Sequence, residues 1–384
     1  MSKQNAFRGA WRFKAGDDRY LYSVHLRSKI KSRSVIALAL TLTAQLTDSD
    51  WAIDSGVLQQ IRHLWPTNQL ETIMKILVTG AAGYIGAVVT RTLAAHGHQV
   101  VGLVHSARSE RAIVAMGLQA RVGSLDDRVS LDSACEGVDV VVDTASADHA
   151  EAAEHFLQIL AATGRTYVRT SGTGIYMDLG QGALNEVVHH EADGWTPLPP
   201  LQHRFSIDQK VLAADGDGLR TVIIRPSMIY GQGASEQLPV LFRAALKHGF
   251  AGYSDPGLNR YANVYIDDLA AVYRLVVDDP NARGAYNVAA SECDFKTISE
   301  AIGQVLGMSS RPFASVEEAE SILGHVWAAG MGCNSRVDAK RVREELGWEP
   351  KGPDLISEIV EGSYRRLWGP KTITVNTGAI TEPA

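Results

Sequence analysis

Lys75–Thr79 (KILVT) is a short run of strand-forming apolar residues that ends in Gly80-Ala81-Ala82-Gly83-Tyr84-Ile85-Gly86. From Tyr84 to His96 the spacing of Ile85, Val88, Val89 and Leu93 is helical, and Gly97 is a natural helix stop. A buried strand, a glycine-rich bend and an amphipathic helix within so few residues leave little choice of fold. The next strand must lie parallel to the first, with the helix laid across the sheet. The pattern then repeats. Strands are read at Gln99–Val104, Gln119–Val122, Val138–Thr144, Thr166–Thr170 and Arg220–Arg225, and helices at Arg108–Met116, Arg128–Cys135, Ala150–Thr163 and Phe205–Ala214. Near-continuous apolar strands separated by helices imply a parallel sheet covered on both faces. The fold class is therefore α/β, a doubly wound sheet.

The 384 residues suffice for two or three domains, and 45% hydrophobic with 21% charged residues is an ordinary globular mixture. A net charge of −6 argues against a nucleic-acid partner, which needs a concentrated basic face. Cys135, Cys293 and Cys333 show no metal or disulfide spacing, so a reducing, cytoplasmic setting without a metal is expected. Residues 1–73 differ from the rest. They hold ten basic and six acidic side chains, against 27 and 37 in residues 74–384. Nine of the ten basic residues precede the apolar stretch Val35–Leu46, which is too short to span a bilayer. Three readings stay open for this segment: a poorly ordered or non-domain extension, a targeting region, and a structural appendage. Low order is the expectation, and no membrane contact is. Residues 369–384 read as a weakly ordered tail.

The glycine bend carries the first chemistry. Gly80 permits the tight turn, Gly83 lets backbone approach a diphosphate, and Gly86 lets helix and strand pack closely. Tyr84, Ile85 and Gly86 open the helix, where free N–H groups and the positive dipole end favour an anion. The motif therefore reads as a dinucleotide site. At the end of the second strand stands Val104-His105-Ser106-Ala107-Arg108, with no acid for a ribose hydroxyl and with a cation for a phosphate. The expectation is NADP(H), with NAD(H) as the alternative.

Four segments together resemble the short-chain dehydrogenase/reductase superfamily, in its extended or atypical form named after NAD-dependent epimerases and dehydratases. They are the glycine motif, Arg225–Gly231 (RPSMIYG), Val264–Ala270 (VYIDDLA) and Leu346–Pro350 (LGWEP). The resemblance implies a Rossmann domain over residues 74–230 and a smaller substrate domain, mainly 231–368, interleaved with it. A small-molecule substrate would bind in the cleft between them, and a homodimer is implied as well. It also implies that Leu125 lies near the adenine, that Thr144, Ala145, Ser146 and Ser171 flank the ribose and nicotinamide, and that Pro226 and Ile229 border the nicotinamide.

Family enzymes use a Ser/Thr hydroxyl with a Tyr and a Lys four residues apart on a helix, so that the ammonium can lower the phenol pKa. Here Lys210 is the lysine in place, and Ser206 stands four residues before it. Gly172 falls at the hydroxyl position, flanked by Ser171 and Thr173. Tyr176 and His203 are the candidate replacements for the missing acid, and Lys210 the candidate ribose contact. His189-His190-Glu191 invites a metal reading, but neighbouring side chains point apart and no third ligand is evident. Met177–Gln202 reads as a long loop forming part of the substrate wall. Further helices are read at Ser235–His248, Asp267–Val277 and Phe295–Leu306, with a strand at Gly284–Val288. Arg260 is a candidate anchor for a polar substrate group, or a surface salt-bridge arginine. Two functions follow: an NADP(H)-dependent oxidoreductase or epimerase/dehydratase-like enzyme acting on a small carbonyl, hydroxyl or sugar-type compound, and a non-catalytic NADP(H)-binding sensor with a degraded active site.

Overall fold

Seven strands form the main sheet, all parallel, and their order accounts for where a ligand can bind. The computed structural model describes residues 9–15, 18–24, 73–216 and 218–370. Strand β3 (Lys75–Thr79) is central. On one side lie β4 (Gln99–Val104) and β5 (Gln119–Val122). On the other lie β6 (Val140–Asp143), β7 (Arg165–Thr170), β8 (Leu219–Pro226) and β12 (Gly284–Val288). The chain reverses direction across the sheet between β3 and β6, and at such a reversal the strand ends open a crevice.

Alternation within each strand builds two cores. Ile76 and Val78 face one side with Val140, Val142, Val168 and Ile224, beneath helices α1 (Tyr84–Ala95) and α7 (Ile266–Asp278). Leu77, Val141, Tyr167 and Ile223 face the other, beneath α3 (Arg128–Ala134), α4 (Ala150–Leu160) and α5 (Gln202–Ala213). This is the Rossmann arrangement expected from the sequence. Helix α2 (Ala107–Ala115) follows β4 and is capped by Ser106.

Helix α5 begins at Gln202 rather than Phe205. Pro199 and Pro200 form a 3-10 turn that feeds the helix instead of delaying it, since proline is tolerated ahead of a first turn.

Parts of residues 228–261, 295–333 and 355–368 build a third core, in which Phe242, Tyr261, Ile298, Ile302, Ile359 and Tyr364 are buried, while Val342, Leu346 and Trp348 pack into the first. The third core contains α6 (Gln237–His248) and α8 (Phe295–Leu306), close to their predicted bounds. A three-stranded sheet orders β13 (Ser291–Asp294), β11 (Arg260–Tyr265) and β9 (Met228–Tyr230). Two further short strands, β10 (Ala251–Tyr253) and β14 (Ser310–Pro312), pair in parallel. Between these stretches the chain returns to the main sheet with α7 and β12, which explains two of the sequence motifs. Asp268 of VYIDDLA accepts from the backbone N–H groups of Lys351 and Gly352, each at 2.8 Å. Trp348 of LGWEP donates to the Asp268 carbonyl at 2.9 Å.

The chain divides into two compact units, Met1–Glu71 and Thr72–Ala384. In the first unit β1 (Gly9–Ala15) and β2 (Asp18–Val24) pair antiparallel, with Gly9 opposite Val24. The sequence pattern signals no strand there. The stretch Val35–Leu46, the tail beyond residue 370, and, apart from this hairpin, the expectation of low order in 1–73 lie outside the described residues.

Candidate functional site

At the crevice the glycine bend is open. Gly83 is exposed, and its extended backbone caps α1 without any side chain taking the first-turn N–H groups. Gly80 adopts a positive φ of 61°, and a Cβ there would lie 2.7 Å from Ala145 Cα. A Cβ on Gly86 would lie 2.1 Å from the Gly80 carbonyl oxygen and 2.7 Å from Thr144 Oγ1. These contacts lie well inside van der Waals distance, so only glycine fits at both positions; Gly83 N donates to the Gly80 carbonyl at 2.8 Å and closes the bend, and the amides of Tyr84 and Ile85 that follow have no side-chain cap. Thr144 Oγ1 donates to the Thr79 carbonyl at 2.6 Å, and Thr79 Oγ1 donates to buried Asp143 at 2.5 Å. Tyr167 donates to the other Asp143 oxygen at 2.9 Å. The two strand ends are thus tied together under the crevice. This backbone cradle fits a diphosphate.

On the β4 side, the Ser106 hydroxyl accepts from Ser109 N at 3.2 Å, which fixes the first turn of α2. His105 and Arg108 are exposed beside it. Among the described residues Arg108 makes no ion pair. Leu125 is half-buried and packs against the core under α3 and α4.

On the β6–β8 side the structure sorts the candidate acids and hydroxyls. Lys210 points away from the strand ends and pairs with Glu154 of α4. Ser206 bonds its own helix, donating to the His203 carbonyl at 2.7 Å. His203 rides on the first turn of α5, where its Nε2 meets the Asp148 carbonyl at 3.1 Å. Tyr176 is buried, accepts from Arg225 at 2.9 Å and stacks on His189 at 5.0 Å. Burial pushes its phenol pKa above the ordinary value, the wrong direction for a general acid near neutrality. Thr173 and Ser335 share a hydrogen bond of 3.2 Å, and Ser171 donates to Asp208 at 2.9 Å. None of the expected groups forms a phenol–ammonium pair.

What faces the strand ends instead was missed in the sequence. Residues 204, 207, 208 and 211 form one stripe of α5, and Ile207, Asp208 and Val211 are its buried members. Asp208 is fully buried and accepts from Arg169 Nε at 3.2 Å and Arg225 Nε at 3.0 Å. One turn earlier, Arg204 grips Asp148 with Nε–Oδ1 at 2.9 Å and Nη2–Oδ2 at 2.6 Å. Its hydrogen bonds to Asp148 raise the guanidinium pKa further and depress that of the carboxylate. The only trace in the sequence is the pair of opposite charges at i, i+4, since the helix has no clear apolar stripe to orient it.

The Met177–Gln202 loop is pinned by its charged and aromatic residues. Glu191 accepts from Asn287 N of edge strand β12 at 2.7 Å, and Trp195 donates to the Ile175 carbonyl at 2.6 Å. His189 and His190 point to different partners, and no metal-binding cluster exists among the described residues. Arg260 lies on β11, not in a loop, and pairs with Glu292 at 3.0 Å. Among the described residues no helix is long and apolar enough to cross a membrane.

Residues 80–244 match a family model described as NAD(P)H-binding. An uncharacterised protein of Schizosaccharomyces pombe is 28% identical over 76% of this chain and 100% of its own length. The 2'-dehydrokanamycin reductase of Streptomyces kanamyceticus is 27% identical over 79% of this chain and 84% of its own. Among solved structures, dTDP-glucose 4,6-dehydratase of Bacillus anthracis in complex with NAD superposes with a TM-score of 0.61 at 20% identity, covering 77% of this chain and 96% of that one. At that identity the likeness is one of fold.

Proposed function

We propose that this chain, which carries an NAD(P)H-binding domain on the extended short-chain dehydrogenase/reductase fold, is an NADP(H)-dependent reductase of a small carbonyl compound. The observation that carries the reading is the bare glycine bend at the crevice, where Gly80 and Gly86 leave no room for a side chain. In this reading the amides of Tyr84, Ile85 and Gly86, at the uncapped start of α1, hold the diphosphate, and Gly80 and Gly83 shape the bend that lets it approach. Arg108, with His105 and Ser106, meets the 2′-phosphate, and Leu125 lies against the adenine. Thr144, Ala145, Ser146, Ser171, Pro226 and Ile229 border the nicotinamide half. When bound, the nicotinamide supplies hydride chemistry. The protein's part is to orient the substrate beside it. Relatives named as reductases, among them the 2'-dehydrokanamycin reductase, favour reduction over epimerisation or dehydration.

Calorimetric titration with NADPH and NADH tests the cofactor, and tighter NADH binding refutes the NADP(H) assignment. Binding of neither refutes the reading as a whole. A panel of aldehydes, ketones and nucleotide sugars, followed at the nicotinamide absorbance, then tests the reaction class. Turnover confined to nucleotide sugars would move the assignment to the epimerase/dehydratase branch.

One observation favours a second reading, a nucleotide-binding sensor without catalysis. Lys210 and Ser206 are turned outward and Tyr176 is buried, so the usual proton relay is missing. NADPH binding without turnover on any of the panel supports that alternative.

A further inference from the structure

Arg204 is half-buried and rigidly held. One edge of its guanidinium, Nε with Nη2, is taken by the two oxygens of Asp148. That fork geometry fixes the plane of the group. The loop bearing Asp148 is itself pinned: the Asp148 carbonyl meets His203 Nε2, and the preceding Ala147 carbonyl accepts from buried Arg169. The remaining nitrogen, Nη1, makes no hydrogen bond among the described residues. It is the atom nearest to Gly172 and lies close to Gly174, 3.5 and 3.8 Å from the positions their Cβ atoms would take. Apart from its chain neighbours Ser171 and Thr173, the only other atom within 4 Å of that Gly172 position among the described residues is the Pro226 carbonyl oxygen, at 3.8 Å. An uncommitted pair of N–H donors therefore lies beside a position at the end of β7 that has room for at least a methyl group, where the resemblance leads one to look for a serine hydroxyl.

We propose that Arg204 is a catalytic residue whose Nη1 donates hydrogen bonds to the reacting oxygen of a carbonyl substrate in the space beside Gly172. The assignment rests on the reading of the chain as a nicotinamide-dependent oxidoreductase. Asp148 neutralises the guanidinium charge in the resting protein, which suits a neutral carbonyl oxygen better than a free anion. Donors aimed in advance at the oxygen on which charge develops need no reorganisation. A guanidinium gives up no proton, so Arg204 takes the place of the polarising hydroxyl and not of the phenol; hydride from the reduced nicotinamide goes to the carbonyl carbon, and the alkoxide so formed takes its proton from a solvent water.

Isobutyramide tests this, because its carbonyl accepts hydrogen bonds but is not readily reduced by hydride. Its binding to full-length protein saturated with NADPH is measured calorimetrically, alongside turnover of the ketone panel. Arg204→Met is expected to weaken amide binding roughly ten- to hundredfold, the range for hydrogen bonds to a charged group, with NADPH affinity unchanged. Arg204→Lys should not restore it, since a lysine cannot grip Asp148 and reach the oxygen together. Gly172→Ala keeps the test open if the arginine variants fail to fold. Its extended backbone accepts alanine, the nearest atom beyond its chain neighbours is Arg204 Nη1 at an ordinary contact distance of 3.5 Å, and the methyl enters the space proposed for the oxygen. Amide binding by Gly172→Ala or a folded Arg204→Met at the wild-type level overturns the assignment. So does failure of the NADPH-loaded wild type to bind the amide or turn over any ketone. Failure to bind NADPH at all is a different result, and it overturns the functional reading beneath.

Discussion

Single residues at this site are fixed by packing or by charge, and each kind of constraint has its own signature. Gly86 is constrained by packing: alanine there must push the bend apart, which is expected to cost about 1–3 kcal/mol of stability and to abolish NADPH binding. Urea unfolding and calorimetry on Gly86→Ala check both. Asp208 is constrained by charge, being buried against Arg169 and Arg225. Removing it in Asp208→Ala strands two buried guanidinium groups, a loss of about 3–5 kcal/mol by urea unfolding. A loss below about 1 kcal/mol would mean that water reaches them. Arg108 is constrained by neither, since it is exposed. Arg108→Ala should therefore leave stability and NADH affinity alone while lowering NADPH affinity about tenfold or more.

At the scale of elements, the long loop between β7 and α5 behaves as a fastened strap. His189 is central to it, buried between the rings of Tyr176 and Trp195 at 5.0 and 4.4 Å. Burial holds its pKa below the ordinary imidazole value. The unfolded chain therefore takes up a proton at higher pH than the folded one. The stabilisation is fully present above an unfolded value of about 6.5 and is lost as pH falls through the folded pKa. Urea unfolding at pH 7.5 and 5.5 should show a smaller acid loss for His189→Phe than for wild type, because phenylalanine keeps the stack and cannot titrate. Equal losses would place the acid sensitivity elsewhere. The loop was visible in the sequence as a cluster of glycine and proline. Its anchoring was not, because Glu191 and Trp195 gain their partners only from strand β12 and the turn after β7.

For the whole molecule, the division at Glu71 and Thr72 predicts that a chain beginning at Met74 unfolds at the same urea midpoint and binds NADPH with the same affinity as the full chain. A lowered midpoint would assign residues 1–73 a structural part. Within 74–370 the sequence by itself determined the parallel sheet, the glycine bend and the two motifs that meet at Asp268 and Trp348. Those features are written in local periodicity, in turn chemistry and in residues whose role is the same wherever they stand. Only the tertiary structure decided which face of α5 meets the strand ends, and so replaced Ser206 and Lys210 with Arg204 and Asp208. It likewise returned α7 and β12 to the main sheet. A helix stripe that mixes Arg204, Ile207, Asp208 and Val211 has no preferred side on hydrophobicity alone. Its orientation is set by the counter-charges of Asp148, Arg169 and Arg225, which lie 56, 39 and 17 residues from their partners in the chain.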